Sequence, residues 1–155
     1  MKNHVQKCHE ELNIFNRFVN VSKLQIDKES IRSGKRGEPD IFCKYTSGES
    51  VYFELTRTID GDLAKNVYGK NKHGGFLGEP YEICVLKKNE KLKLGKYNIG
   101  STRIELLVYL DVQPFFPSWN KTIPNFLNSH SAELVFNAIW FFDEHKNLII
   151  SKFPK

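Results

Sequence analysis

Apolar residues near the start of the chain recur at three- and four-residue steps. Val5, Cys8, Leu12, Phe15 and Val19 share one helical face, which predicts a helix from about Asn3 to about Val21. Residues 28–38 are polar with two glycines and read as a loop. Asp40–Tyr45 and Ser50–Thr56 are rich in β-branched and aromatic residues, and the TSGE between them has turn chemistry. They predict a hairpin. Ile59–Tyr68 reads as a short helix, and the glycine-rich Gly69–Pro80 as a loop. Tyr81–Leu94 predicts a helix ending near Gly95. Arg103–Val112 is a short apolar run bounded by turn residues, as a buried strand requires. Pro114, Pro117 and Pro124 argue against regular structure around them, with a helix starting near Pro124 and running to about Leu134. Phe136–Phe142 and Leu148–Lys152 read as strands joined by DEHKN. The order is helix, strand, strand, helix, strand, then a helix and further strands, a mixed α/β plan.

The 155 residues suffice for one domain with a sizeable core. Twelve phenylalanines make that core aromatic-rich. No apolar run reaches the length of a membrane span, so no membrane partner is expected. MKNHVQKCHEEL has no apolar signal region. Cys8, Cys43 and Cys84 form no CxxC pair and are expected as free thiols in a reducing cytoplasm. Histidines 4, 9, 130 and 145 show no ligand spacing such as HExxH. Trp119 and Trp140 are expected as packing residues.

The net charge of +5 is unevenly placed. Between Lys87 and Arg103 six basic residues (Lys87, Lys88, Lys91, Lys93, Lys96, Arg103) face one acid, Glu90. A second basic group, Lys28, Arg32, Lys35 and Arg36, precedes the hairpin. Clustered positive charge suits a phosphate backbone, although a solvated surface accounts for charge alone more simply.

The hairpin carries the unusual feature. Alternation puts Tyr52, Glu54 and Thr56 on one face and Val51, Phe53 and Leu55 on the other. Glu54 is thus a carboxylate inside an apolar strand, where charge needs a partner. Asp40, at the mouth of the paired strand, can be brought beside it. Two close carboxylates raise each other's pKa, and a divalent cation between them removes that penalty. Oxygen donors of this kind suit Mg²⁺ or Mn²⁺. The simpler structural reading has Asp40 capping a turn and Glu54 facing solvent.

Pro39-Asp40, thirteen intervening residues and Glu54-Leu55-Thr56 resemble the PD-(D/E)xK nuclease superfamily. The resemblance covers roughly residues 3–112. It implies a restriction-endonuclease-like αβββαβ core, with residues 113–155 as an elaboration of a single domain. It implies metal ligation by Asp40, Glu54 and the carbonyl of Leu55, and often by a glutamate of the first helix. Glu11 flanks the apolar stripe of that helix and Glu10 points away, so Glu11 is preferred. The implied activity is hydrolysis of nucleic-acid phosphodiesters, DNA favoured over RNA. A homodimer is compatible with it, although no dimer surface can be read.

Thr56 stands where that superfamily has its lysine. Either catalysis is lost, leaving a nucleic-acid-binding or protein-interaction module, or a cation comes from elsewhere. Related families place the basic residue on a neighbouring helix. Lys88 falls inside the apolar stripe of Tyr81, Cys84, Val85 and Leu92, and Lys91 lies at its edge. Lys88 is the first choice for the displaced cation, Lys91 the second and Lys65 the third; each could instead snorkel to solvent. Arg32, Lys35, Arg36 and Arg57 are candidates for phosphate contacts. Lys70, Lys72 and His73 lie in the glycine-rich loop, which reads either as a flap over nucleic acid or as a surface loop.

Overall fold

The first helix, α1 (His4–Ser22), starts on a capping box. The Asn3 side chain accepts from the Gln6 N–H at 2.9 Å, and the Gln6 side chain accepts from the Asn3 N–H at 3.2 Å. Lys23 ends it in the left-handed region at φ 60°. The computed structural model of the chain describes residues 3–58, 80–110 and 117–154. After α1 come β1 (Ile26–Ser33), β2 (Ile41–Tyr45), β3 (Ser50–Arg57), α2 (Pro80–Lys93), β4 (Arg103–Leu110), α3 (Trp119–Ser129), β5 (Ala138–Asp143) and β6 (Leu148–Phe153). The expected helix Ile59–Tyr68 and the glycine-rich loop with Lys70, Lys72 and His73 fall outside the described residues, as does Lys65.

Among the described residues the strands form one mixed sheet, ordered β1-β2-β3-β4-β5-β6. β1, β2 and β3 run as an antiparallel meander. β4 then pairs parallel to β3, and β5 parallel to β4, with α2 and α3 in the respective crossovers. β6 returns antiparallel to β5. Residues expected as an elaboration thus extend the same sheet, and every residue of β5 is buried.

The alternation of each strand feeds two apolar layers. On one face Phe15 and Phe18 of α1 pack with Phe53, Leu107, Trp140 and Phe142. Phe18 meets Trp140 at 5.2 Å and Phe142 at 6.1 Å between ring centroids, both edge-on. On the other face α2 and α3 bring Tyr81, Val85, Trp119, Ile123 and Phe126 against Leu106, Val108 and Phe141. The expected packing roles of Trp119 and Trp140 correspond to this burial. The result is a three-layer α/β/α plan.

Two expectations are corrected. Residues 28–38 are not simply a loop, because Ile26–Ser33 is an edge strand. It was masked by its polarity and by a bulge that sets Lys28–Ile31 against Cys43 alone. Ser30 fills the break, its Oγ accepting from the Lys44 N–H at 2.8 Å. The second correction concerns α3, which begins at Trp119 and carries Pro124 inside it. Pro124 cannot donate to the preceding turn. Buried Trp119, Ile123, Phe126 and Leu127 hold the helix to the sheet regardless.

A second buried glutamate shows how this fold closes an anion. Glu105 of β4 is 1% exposed. Trp140 Nε1 donates to it at 2.8 Å, Arg103 Nε at 2.8 Å, and the Tyr45 hydroxyl also donates. Its donors come from β2, β4 and β5, so it ties the sheet together. Glu105→Ala leaves these donors without their acceptor and should lower unfolding free energy by about 3 kcal/mol. Denaturant titration checks this; a loss below about 1 kcal/mol contradicts the structural role.

Candidate active site

Register brings the two hairpin acids together. Ile41 pairs with Phe53, and one step further along the antiparallel pair Asp40 stands opposite Glu54. The Asp40 N–H donates to Glu54 Oε1 at 3.2 Å, and the Leu55 N–H donates to Asp40 Oδ2 at 2.8 Å. Gly34 fixes this corner. A Cβ there would lie 1.7 Å from the Pro39 carbonyl oxygen, and the Gly34 N–H donates to the Asp40 carbonyl at 2.8 Å. Only glycine permits that approach.

Glu54 is 2% exposed and faces α2, as alternation requires. Its Oε2 accepts from Lys88 Nζ at 3.1 Å and from the Tyr97 hydroxyl, with Lys91 Nζ 3.8 Å away. Lys91 also lies over the Tyr97 ring, 4.5 Å from its centroid. The structure therefore brings Lys88 and Lys91 to Glu54, while half-buried Thr56 lies on the same face of β3. Tyr97 was missed by sequence reasoning. It sits in the loop after α2, and nothing in its local sequence marks it.

Glu11 completes the acidic group from α1. It is 7% exposed and lines the same cleft as Asp40. Asp40 thus stands between the charges of two other carboxyls, Glu11 and Glu54. Burial pushes Asp40 up to about 8, aided by the hydrogen bond to Glu54 and the charges of Glu54 and Glu11. Burial likewise raises Glu11, against the opposing charge of Lys7. Burial also works against ionised Glu54. The Asp40 hydrogen bond, Lys88 and Tyr97 outweigh it and hold Glu54 below the usual range. Burial and the adjoining Glu54 raise the Tyr97 hydroxyl, which remains a donor.

A cleft of about 410 Å³ opens between α1 and residues 34–40. Glu11 and Asp40 line it together with Lys7, Lys35 and Arg36, whose side chains give its rim positive charge. Arg32 is already committed, pairing with Glu38 at 3.1 Å and lying 4.4 Å from the Phe42 ring centroid. Glu38 is held down at about 2, first by the Tyr52 hydroxyl and then by the Lys35 N–H. Arg57 is on the opposite face of β3 from Glu54, 6.0 Å from the Tyr109 ring centroid. The basic stretch 87–103 is partly internal. Lys88, Lys91 and Arg103 turn to buried glutamates, leaving Lys87, Lys93 and Lys96 exposed.

Carboxylates and a backbone carbonyl are the kind of oxygen donors that a hard divalent cation takes. Buried Glu11 and Glu54 flank half-buried Asp40, and the carbonyl of Leu55 belongs to the residue whose N–H already holds Asp40. Among the described residues no group of three or more histidine, cysteine, aspartate or glutamate side chains is arranged to hold a metal ion. No helix among the described residues is long and apolar enough to cross a membrane. In comparisons with known proteins, no family model and no curated protein matches the chain.

The raised Asp40 carboxyl has a signed consequence for stability. The unfolded chain releases this proton near its ordinary value of 3.8, the folded chain near about 8. The stability so contributed is complete below about pH 4 and is lost as pH rises toward 8. Asp40→Asn keeps a donor for Glu54 and an acceptor for Leu55 without that titration. Without divalent ions its melting temperature should exceed the parent's at about pH 8, with the gap shrinking toward pH 4. An equal gap at both values contradicts the raised Asp40 carboxyl.

Proposed function

We propose that the chain is a divalent-metal-dependent phosphodiesterase acting on nucleic acid, DNA before RNA, on a restriction-endonuclease-like core. The observation that carries this is the crowding of Glu11, Asp40 and Glu54 beside Lys88 and Lys91. The element order α1-β1-β2-β3-α2-β4 supports the fold reading, since β1 supplies the third strand of the αβββαβ plan.

Asp40, Glu54 and the Leu55 carbonyl would hold Mg²⁺ or Mn²⁺, with Glu11 as a further donor. Such an ion supplies Lewis acidity toward a phosphoryl oxygen and nucleophilic hydroxide at neutral pH. The chain's own work is then positional and electrostatic. Asp40, raised in the unliganded chain, would have to be ionised to hold such an ion. Lys88 Nζ, 3.1 Å from Glu54, already lies where negative charge gathers. Relieved of neutralising Glu54, its ammonium can meet charge developing on phosphate. The Tyr97 hydroxyl fixes the Glu54 rotamer. Lys7, Lys35 and Arg36 line the cleft through which a phosphate would approach.

A second reading rests on the same ion pairs. Lys88 and Lys91 already compensate Glu54, which is what a retired site needs to remain folded. The chain would then bind nucleic acid or protein without cutting. Incubation with DNA, and in parallel RNA, plus Mg²⁺ or Mn²⁺ separates the two. Cleavage should be lost in Asp40→Ala and Glu54→Ala and fall about 100- to 1,000-fold in Lys88→Ala. Cleavage that survives both carboxylate changes contradicts the assignment. Salt-dependent DNA binding without divalent-ion binding supports the module.

A further inference from the structure

Two walls form the cleft in front of the acids. One is α1, which contributes His4, Lys7 and Glu11. His4 and Glu11 are seven positions apart, so this wall is roughly 10 Å long. The other wall is the turn between β1 and β2, which carries Lys35 and Arg36. That turn is firmly held. The Glu38 N–H donates to the Lys35 carbonyl at 2.9 Å. Glu38 Oε1 accepts from the Lys35 N–H at 2.8 Å and from Arg32 at 3.1 Å. Gly37, at φ 87°, completes the turn, and its carbonyl accepts from the Asn98 N–H at 2.7 Å. The two cations are therefore mounted on a preorganised support. Lys7, Lys35 and Arg36 are exposed and form the rim, while buried Glu11 and half-buried Asp40 form the deeper lining. Lys88, Lys91, Arg32 and Arg103, by contrast, are turned to glutamates.

We infer that this cleft takes single-stranded DNA, with a backbone phosphate on the Lys7, Lys35 and Arg36 rim, and excludes a continuous duplex. The cleft volume of about 410 Å³ lies low in the range of small-ligand sites, roughly 300–1,000 Å³. That is room for a nucleotide and not for two paired strands. The major groove of a duplex is alone about 12 Å wide, more than the length of the α1 wall, so a double helix rests on the rim. A single strand has no partner to carry with it and can turn a phosphate inward between the walls. There cations from two elements meet it, Lys7 on one side and Lys35 and Arg36 on the other. The inference rests on the nucleic-acid part of the function proposed above and not on cleavage.

The test is fluorescence anisotropy of the full chain in EDTA, with a labelled single-stranded DNA of roughly 12 nucleotides. The comparison probe is a blunt duplex of the same strand with G·C pairs at both ends. EDTA keeps divalent ions out, so failure of cleavage and failure of this cleft are read separately. The single strand should bind at least about tenfold more tightly than the duplex, which reaches the rim alone. Between about 50 and 200 mM salt, Lys7→Ala, Lys35→Ala and Arg36→Ala should each flatten the slope of log K against log salt by about 0.7. Lys121→Ala, an exposed change on α3 across the sheet, should leave that slope unchanged. Lys7, Lys35 and Arg36 are exposed, so their variants lose no core, and circular dichroism verifies their folding. A duplex bound as tightly as the single strand, or more tightly, overturns the single-strand assignment. No binding of the single strand, or an unchanged slope in both Lys35→Ala and Arg36→Ala, overturns the cleft as its site.

Discussion

Glu54 is a buried anion in the middle of a sheet, and four other side chains are placed by their elements to keep it charged. The hairpin supplies Asp40, α2 supplies Lys88 and Lys91, and the following loop supplies Tyr97. A carboxylate at 2% exposure is costly unless its oxygens are met. Here both are met, Oε1 by the Asp40 N–H and Oε2 by Lys88 and the Tyr97 hydroxyl, but the Asp40 that meets it carries a carboxyl of its own, held well above its usual range.

The contrast with Glu105 makes the point within one molecule. Glu105 is as deeply buried, on the α1 face of the neighbouring strand. Its partners are an arginine, an indole and a phenol, all donors, with no acid among those bonds. Its charge is closed by the fold. Glu54 sits at the end of a row of acids reaching through Asp40 and Glu11 to a cleft with a basic rim.

Much of this was legible in local patterns, and the failures have physical reasons. Alternation placed Glu54 and Thr56 together, and hairpin register placed Asp40 opposite Glu54. The 100° step preferred Glu11 over Glu10 along α1 and put Lys88 inside an apolar stripe along α2. These succeed because a two-residue or 3.6-residue period fixes direction without knowledge of the rest. β1 was illegible because an edge strand with a bulge need not alternate. α3 was misplaced because burial of Trp119 and Ile123 overrides an interior proline. Tyr97 reaches Glu54 only through the tertiary path of a loop.

The central proposal is that a divalent cation would take the place of the Asp40 proton and of the lysine partner of Glu54. The most direct measurement is anomalous diffraction from a crystal soaked in Mn²⁺ near pH 8. The account predicts a peak within about 2.2 Å of oxygens from Asp40 and Glu54, with Lys88 Nζ moved away from Glu54 Oε2. An absent peak at saturating Mn²⁺, with the Lys88–Glu54 pair still intact, would contradict it.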